Sequence, residues 1–89
     1  MNAIVSVIGR DRVGICAAVC SMMADYQINI LDISQTIVQG SFTMVMAVDL
    51  EKATAPFGEI SDSLAALGEE MNLSIRIQRQ EIFDAMHTI

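Results

Sequence analysis

The 89-residue sequence sets 5 Lys and Arg against 11 Asp and Glu, a formal net charge of −6, and is 53% apolar but only 4% aromatic, so its core must be built from Ile, Val, Leu, Met and Ala. That length holds one domain burying roughly 60–65% of its unfolded surface; the acidic balance argues against a nucleic-acid surface, which needs a basic stripe, and no run reaches the ~18 apolar residues of a membrane span. The first apolar run lacks the basic flank of a secretory signal, so the expected setting is the cytoplasm, and so high an apolar share in so small a chain calls for a second subunit to cover the excess.

Residues 3–9 are rich in β-branched side chains and apolar on both alternating faces, as a central strand is. Gly9-Arg10-Asp11-Arg12-Val13-Gly14 then joins that strand to a helical pattern starting near Ile15. Strand, glycine, charge, glycine, helix is the layout of an anion site: the glycines let the backbone turn and approach a ligand, and the free N–H groups of a helix start carry its dipole's positive end. Arg10 and Arg12 form a local basic spot on an acidic chain, suited to a small anion rather than a polymer. Asp11 is expected to cap the helix, in which Ile15, Val19, Met22, Met23 and Tyr26 recur at helical spacing. Cys16 and Cys20, at i and i+4, share one face of it and read as small buried hydrophobes, poorly placed for a disulfide or a metal.

Residues 29–39 and 41–50 pair across Gly40. With Gln39-Gly40 as a two-residue turn, Leu31 falls opposite Val48, Ile33 opposite Met46 and Ile37 opposite Phe42 on one face, while Asp32, Ser34 and Thr36 share the other with Ala47, Val45 and Thr43. Pro56 sits in the first turn of a second helix, where Phe57, Ile60, Leu64, Leu67 and Met71 form one stripe. Residues 73–79 alternate cleanly as the last strand. Beyond the core 1–80, the extension 81–89 has Ile82, Phe83, Met86 and Ile89 on one side, which predicts a short helix over 81–87 resting on the open face of the sheet, where Ile4, Ile8 and Val45 otherwise lie exposed. His87, the single histidine, has no ligand cluster around it and reads as an exposed polar residue.

The order βαββαβ with short connections gives an α+β, ferredoxin-like fold: a four-stranded antiparallel sheet in the order 4-1-3-2, two helices on one face, and the short C-terminal helix. No repeat or linker divides the chain, so 1–89 reads as one domain. Strand two is then a long edge without proline, expected to pair with its twin in a homodimer while Leu31, Ile33 and Ile37 stay inside.

The loop 9–14, the helix after it and Asn29-Ile30 opening the second strand resemble an ACT domain, a small regulatory module that binds amino acids. Ile28-Asn29-Ile30-Leu31-Asp32-Ile33-Ser34-Gln35-Thr36 and the segments 75–78 and 82–87 are similar to the free-standing single-ACT-domain proteins related to the glycine cleavage repressor. Val13 departs from the proline found in many ACT loops. The resemblance implies a small ligand, an amino acid or a close relative, between the first loop of one subunit and the start of strand two of its neighbour: Gly9, Arg10, Asp11, Arg12, Val13 and Gly14 on one side, Asn29, Ile30 and Leu31 on the other. Backbone N–H groups near Val13 and Gly14 suit a carboxylate, Asp11 an ammonium, and the Asn29 amide either. Each has a plainer role as well: Asp11 as a cap, the arginines as solvated loop charges, Asn29 as a strand start.

One histidine near the C-terminus leaves no nucleophile–base set, so the expectation is a sensor with no catalytic residues, no cofactor and no metal, acting on an unidentified protein partner. An interaction module without a small ligand is the alternative. A distant one is an acylphosphatase-like hydrolase, which shares this topology and whose arginine and asparagine Arg12 and Asn29 loosely mimic.

Overall fold

The computed structural model describes residues 1–81. The elements are β1 (Asn2–Arg10), α1 (Ile15–Asp25), β2 (Asn29–Val38), β3 (Ser41–Asp49), α2 (Phe57–Met71) and β4 (Leu73–Arg79). The strands form one antiparallel sheet in the order β2-β3-β1-β4, the expected 4-1-3-2 read from the other edge. The sequence-predicted helix over 81–87 lies, apart from Glu81, outside the described residues.

Alternation fixes which side of the sheet is covered. Val5 and Val7 of β1, Met44, Met46 and Val48 of β3, and Ile75 and Ile77 of β4 point to the helix layer, where Ile15, Val19 and Met23 of α1 and Ile60 and Leu64 of α2 close over them. Glycine allows α2 to come that near, because a Cβ on Gly68 would stand 2.6 Å from the carbonyl oxygen of Leu73. The Tyr26 hydroxyl and Ser63 Oγ share a 2.7 Å hydrogen bond that ties the end of α1 to α2. Gln27 takes a left-handed φ of 57°, and the N–H of Ile28 reaches back to the carbonyl of Met23 at 2.9 Å, so α1 stops abruptly and the chain turns into β2.

The hairpin turn is as expected: Gln39 and Gly40 both have positive φ, 51° and 80°, the mirror-image turn whose twist matches two strands. Ile33 pairs with Met46 and Ile37 with Phe42. Leu31 does not pair with Val48. A bulge between Ile30 and Asp32 inserts one residue, so Ile30 takes that place and Leu31 is displaced from the ladder. Just past the bulge the backbone N–H of Ile33 donates to the carboxylate of its neighbour Asp32 at 2.9 Å.

Three further expectations change. Asp11 does not cap α1; the cap position is Gly14, with no side-chain bond at all, because the helix begins one turn after the charged residues. Pro56 stands just outside α2 rather than in its first turn, its ψ of 155° being extended. Within one copy Leu31, Ile33 and Ile37 are not inside: they are 51%, 42% and 57% exposed, since the helix layer leaves β2 uncovered from Leu31 onward. On the open face Ile8 is exposed, Val45 half-buried and Ile4 buried.

Candidate functional site

The loop after β1 is held at both ends. Gly9, still in the strand, pairs with Phe42 and Leu73. A Cβ there would collide with Leu73 Cδ2 and come within 3.3 Å of the Asn72 carbonyl, so this glycine serves close packing against β4. Arg10 ends the strand opposite Ser41, and the N–H of Asp11 donates to the carbonyl of Gly40 at 2.8 Å, fastening the loop to the hairpin turn. Arg12 and Val13 lie outside, Val13 98% exposed.

Gly14 then adopts φ 92°, a left-handed conformation that costs a residue with a side chain about 1 kcal/mol or more. Nothing stands within 4 Å of where its Cβ would be, so conformation and not space is what requires glycine. Its carbonyl accepts the N–H of Ala18 at 2.9 Å as the first helical bond. The donors of the first turn have no acceptor within the helix, no side chain caps them, and no acidic residue stands in that turn. The positive end of α1 is therefore uncapped, which in itself suits a carboxylate or another small anion.

Two clefts flank the loop. One, of about 480 Å³, is lined by Arg10, Asp11, Gln39, Gly40 and Ser41. The other, of about 300 Å³, is lined by Arg10, Asp11, Arg12, Met71 and Asn72. Met71 closes α2, whose last turn has no basic residue, so the loop arginines also face the negative end of that dipole. The hairpin turn and the Met71-Asn72 corner also line these clefts and were missed by the sequence reading; the signal for the first was partly available, since antiparallel pairing brings the end of β1 to the start of β3, and the observed register sets Arg10 opposite Ser41.

Asn29, Ile30 and Leu31 are elsewhere. Asn29 pairs with Asp49, which pairs with Asn2, at the end of the sheet opposite the loop. Eight residue steps of strand separate those levels, roughly 26 Å. Ile30 is half-buried on the helix side and Leu31 stands out on the bulge. The cleft there, about 400 Å³, is lined by Gln27, Asn29, Asp49, Glu51 and Lys52; the Asp49 carboxylate accepts the N–H of Glu51 at 3.0 Å and forms an ion pair with the N-terminal ammonium at 3.8 Å. One copy of the chain thus does not bring the two halves of the expected site together, nor Arg12 and Asn29 into one reaction centre.

Cys16 and Cys20 are half-buried rather than buried. Burial and the neighbouring Cys16 push the Cys20 thiol above its usual range. Among the described residues no cluster of three or more His, Cys, Asp or Glu side chains is placed to hold a metal, and no helix is long and apolar enough to cross a membrane.

Comparison with known proteins places this geometry. A UPF0237 protein of Listeria monocytogenes is 48% identical over 89 residues, all of both chains, and one of Methanocaldococcus jannaschii is 43% identical over 88 residues, 99% of this chain and 98% of that one. An ACT domain protein from Streptococcus pneumoniae superimposes with a TM-score of 0.82 at 37% identity, over 93% of each chain. A candidate glycine cleavage system transcriptional repressor shares the fold, with a TM-score of 0.73 at 23% identity over 86% of this chain and 44% of its own. The family model described as ACT domain matches residues 2–78, and the chain belongs to the ACT domain family.

Proposed function

We propose that this chain is a non-catalytic regulatory module that binds an amino acid or a similar small molecule in a cleft completed by a second copy of itself. The observation that carries the reading is the separation of the two half-sites: the loop with the open helix start at one end of the sheet, and Asn29 at the other end of an unpaired edge strand. Two copies joined antiparallel along β2 set the Asn29 end of one beside the Gln39-Gly40 turn of the other, and so beside the loop fastened to that turn. The first-turn donors of α1, with Arg10 and Arg12, then hold a carboxylate; Asp11 and the Asn29 amide serve an ammonium. Membership of a family of small regulatory domains supports the same reading.

Thermal melting with each common amino acid tests it. A ligand at ~100 times its Kd stabilises the fold by about 2.7 kcal/mol, and Asn29→Ala should lose that response. A wild-type curve unmoved by the whole set rejects the ligand, and a monomer in light scattering at micromolar concentration rejects the dimer. A second reading, an interaction module without small ligand, is favoured by the exposed Leu31, Ile33, Ile37 and Val38; it expects a dimer with no melting response. Acyl phosphate hydrolysis, which would need Arg12 and Asn29 of one copy in a single centre, is expected to be absent, because within a copy they stand at opposite ends of the sheet.

A further inference from the structure

The two cysteines take no part in the loop cleft or the β2 edge. They lie one turn apart on α1, both half-buried, with their Sγ atoms 3.8 Å from each other in S–H···S contact. The positions of α1 that face the core are filled by Ile15, Val19 and Met23, so the thiols sit on its flank within reach of solvent. Cβ atoms at i and i+4 of a helix stay about 5–6 Å apart, beyond the ~3.5–4.5 Å a disulfide needs. The pair therefore cannot close on itself while α1 is intact. A tetrahedral soft ion with metal–sulfur bonds of about 2.3 Å, by contrast, spans two sulfurs ~3.8 Å apart. Cys16 is the second residue of the helix.

We propose that Cys16 and Cys20 form a bidentate site for a soft, thiophilic metal or metalloid cation. The two sulfurs supply two bonds, and the remaining positions fall to solvent or a small exogenous ligand, since no third His, Cys, Asp or Glu joins them among the described residues. Binding releases both thiol protons and involves no change of oxidation state. A cation between the sulfurs also cancels the repulsion that two adjacent thiolates would suffer.

The test uses the reduced full-length chain and phenylarsine oxide, which exchanges its As–O bond for two As–S bonds while both thiol protons leave with the oxygen as water. One equivalent should remove both thiols from titration by an aromatic disulfide reagent. Cys16→Ser and Cys20→Ser should each bind on the order of 100-fold more weakly, because the second bond of a chelate forms at high effective concentration. Cadmium(II), followed by its thiolate charge-transfer absorption, should show the same loss. Where a serine variant melts early, the alanine variant replaces it, since alanine favours the helix. Consumption of two equivalents, a thiol left titratable after one, or single variants binding as tightly as wild type would each overturn the proposal.

Discussion

The sheet ends in two edges of opposite character. β4 is seven residues long, alternates between buried and exposed, and carries Arg76 and Arg79, the latter with its guanidinium 5.8 Å from the centre of the Phe57 ring. β2 is ten residues long, is exposed throughout from Leu31 onward, and carries one charge, Asp32, whose carboxylate occupies the N–H of Ile33. Charge and shortness blunt an edge against pairing with another strand. By that criterion β4 is a finished boundary and β2 an unfinished one, and apolarity means different things on the two: Ile75 and Ile77 are core, whereas Ile33 and Ile37 have the same chemistry and no cover.

The largest expected effect comes from making the open edge resemble the closed one. Ile33→Lys with Ile37→Lys would set like charges against each other across a β2–β2 pairing, a cost of several kcal/mol. Association should weaken by 100-fold or more in sedimentation or light scattering, while the melting temperature of the dissociated chain hardly moves, because neither side chain is packed in the monomer. An unchanged dimer would show that the copies meet elsewhere.

Gly9→Ala attacks the closed edge instead. Its new methyl group collides with Leu73 at the start of β4, and overpacking of this kind costs about 1–3 kcal/mol. A fall in melting temperature of roughly 4–8 °C per kcal/mol is expected for a domain of this size, with little effect on the β2 edge itself. Gly14→Ala should cost less, about 1 kcal/mol, as its penalty is conformational and the space is free; on the proposed function it also blunts the melting response to an amino acid, which Gly9→Ala leaves in proportion. The smallest effects concern the edge charges. Arg79→Ala should lower stability by about 0.5–1 kcal/mol through the lost contact with Phe57. Asp32→Ala frees the Ile33 N–H for a second strand and should tighten association by a few-fold; weaker association instead would mean that Asp32 itself bonds across the interface.

Much of this was legible in the residues. The 2.0 and 3.6 periods separate strands from helices, and β4 was read to its bounds because residues 73–79 alternate without a break. The Gln39-Gly40 turn set the register of the hairpin beyond Leu31. The bulge escaped because Ile30 and Leu31 are both apolar, so either satisfies the place opposite Val48 and hydrophobicity alone cannot count the extra residue. The burial of β2 was misjudged for a related reason: apolar alternation says which face a side chain is on, but not whether a helix reaches over it. Asp11 has the chemistry of a cap, and only the left-handed backbone at Gly14 moves the helix start past it. Within the candidate site, the contiguous half on the loop was visible as a motif. Its distance from Asn29 follows from strand direction, a property of the whole sheet.

The bulge at Leu31 also acts as a phase joint. On either side of it, β2 keeps time with β3 by a different offset: Asn29 and Ile30 follow one count, residues from Asp32 onward another. Gain or loss of a residue in an ordinary strand inverts the facing of everything upstream, but here the insertion already absorbs that inversion, placing Asn29 on the same side as Asp32 and Ser34 although the parity of its number sets it with Ile33. Deleting Leu31 would remove the bulge and leave the hairpin, its turn and the facing of Asn29 and Ile30 as they are, since Ile30 already stands opposite Val48 and Asp32 opposite the next residue, Ala47. The end of β2 that is proposed to meet a ligand thus carries one residue more than its pairing needs, and that residue can be spared with the ladder on both sides untouched.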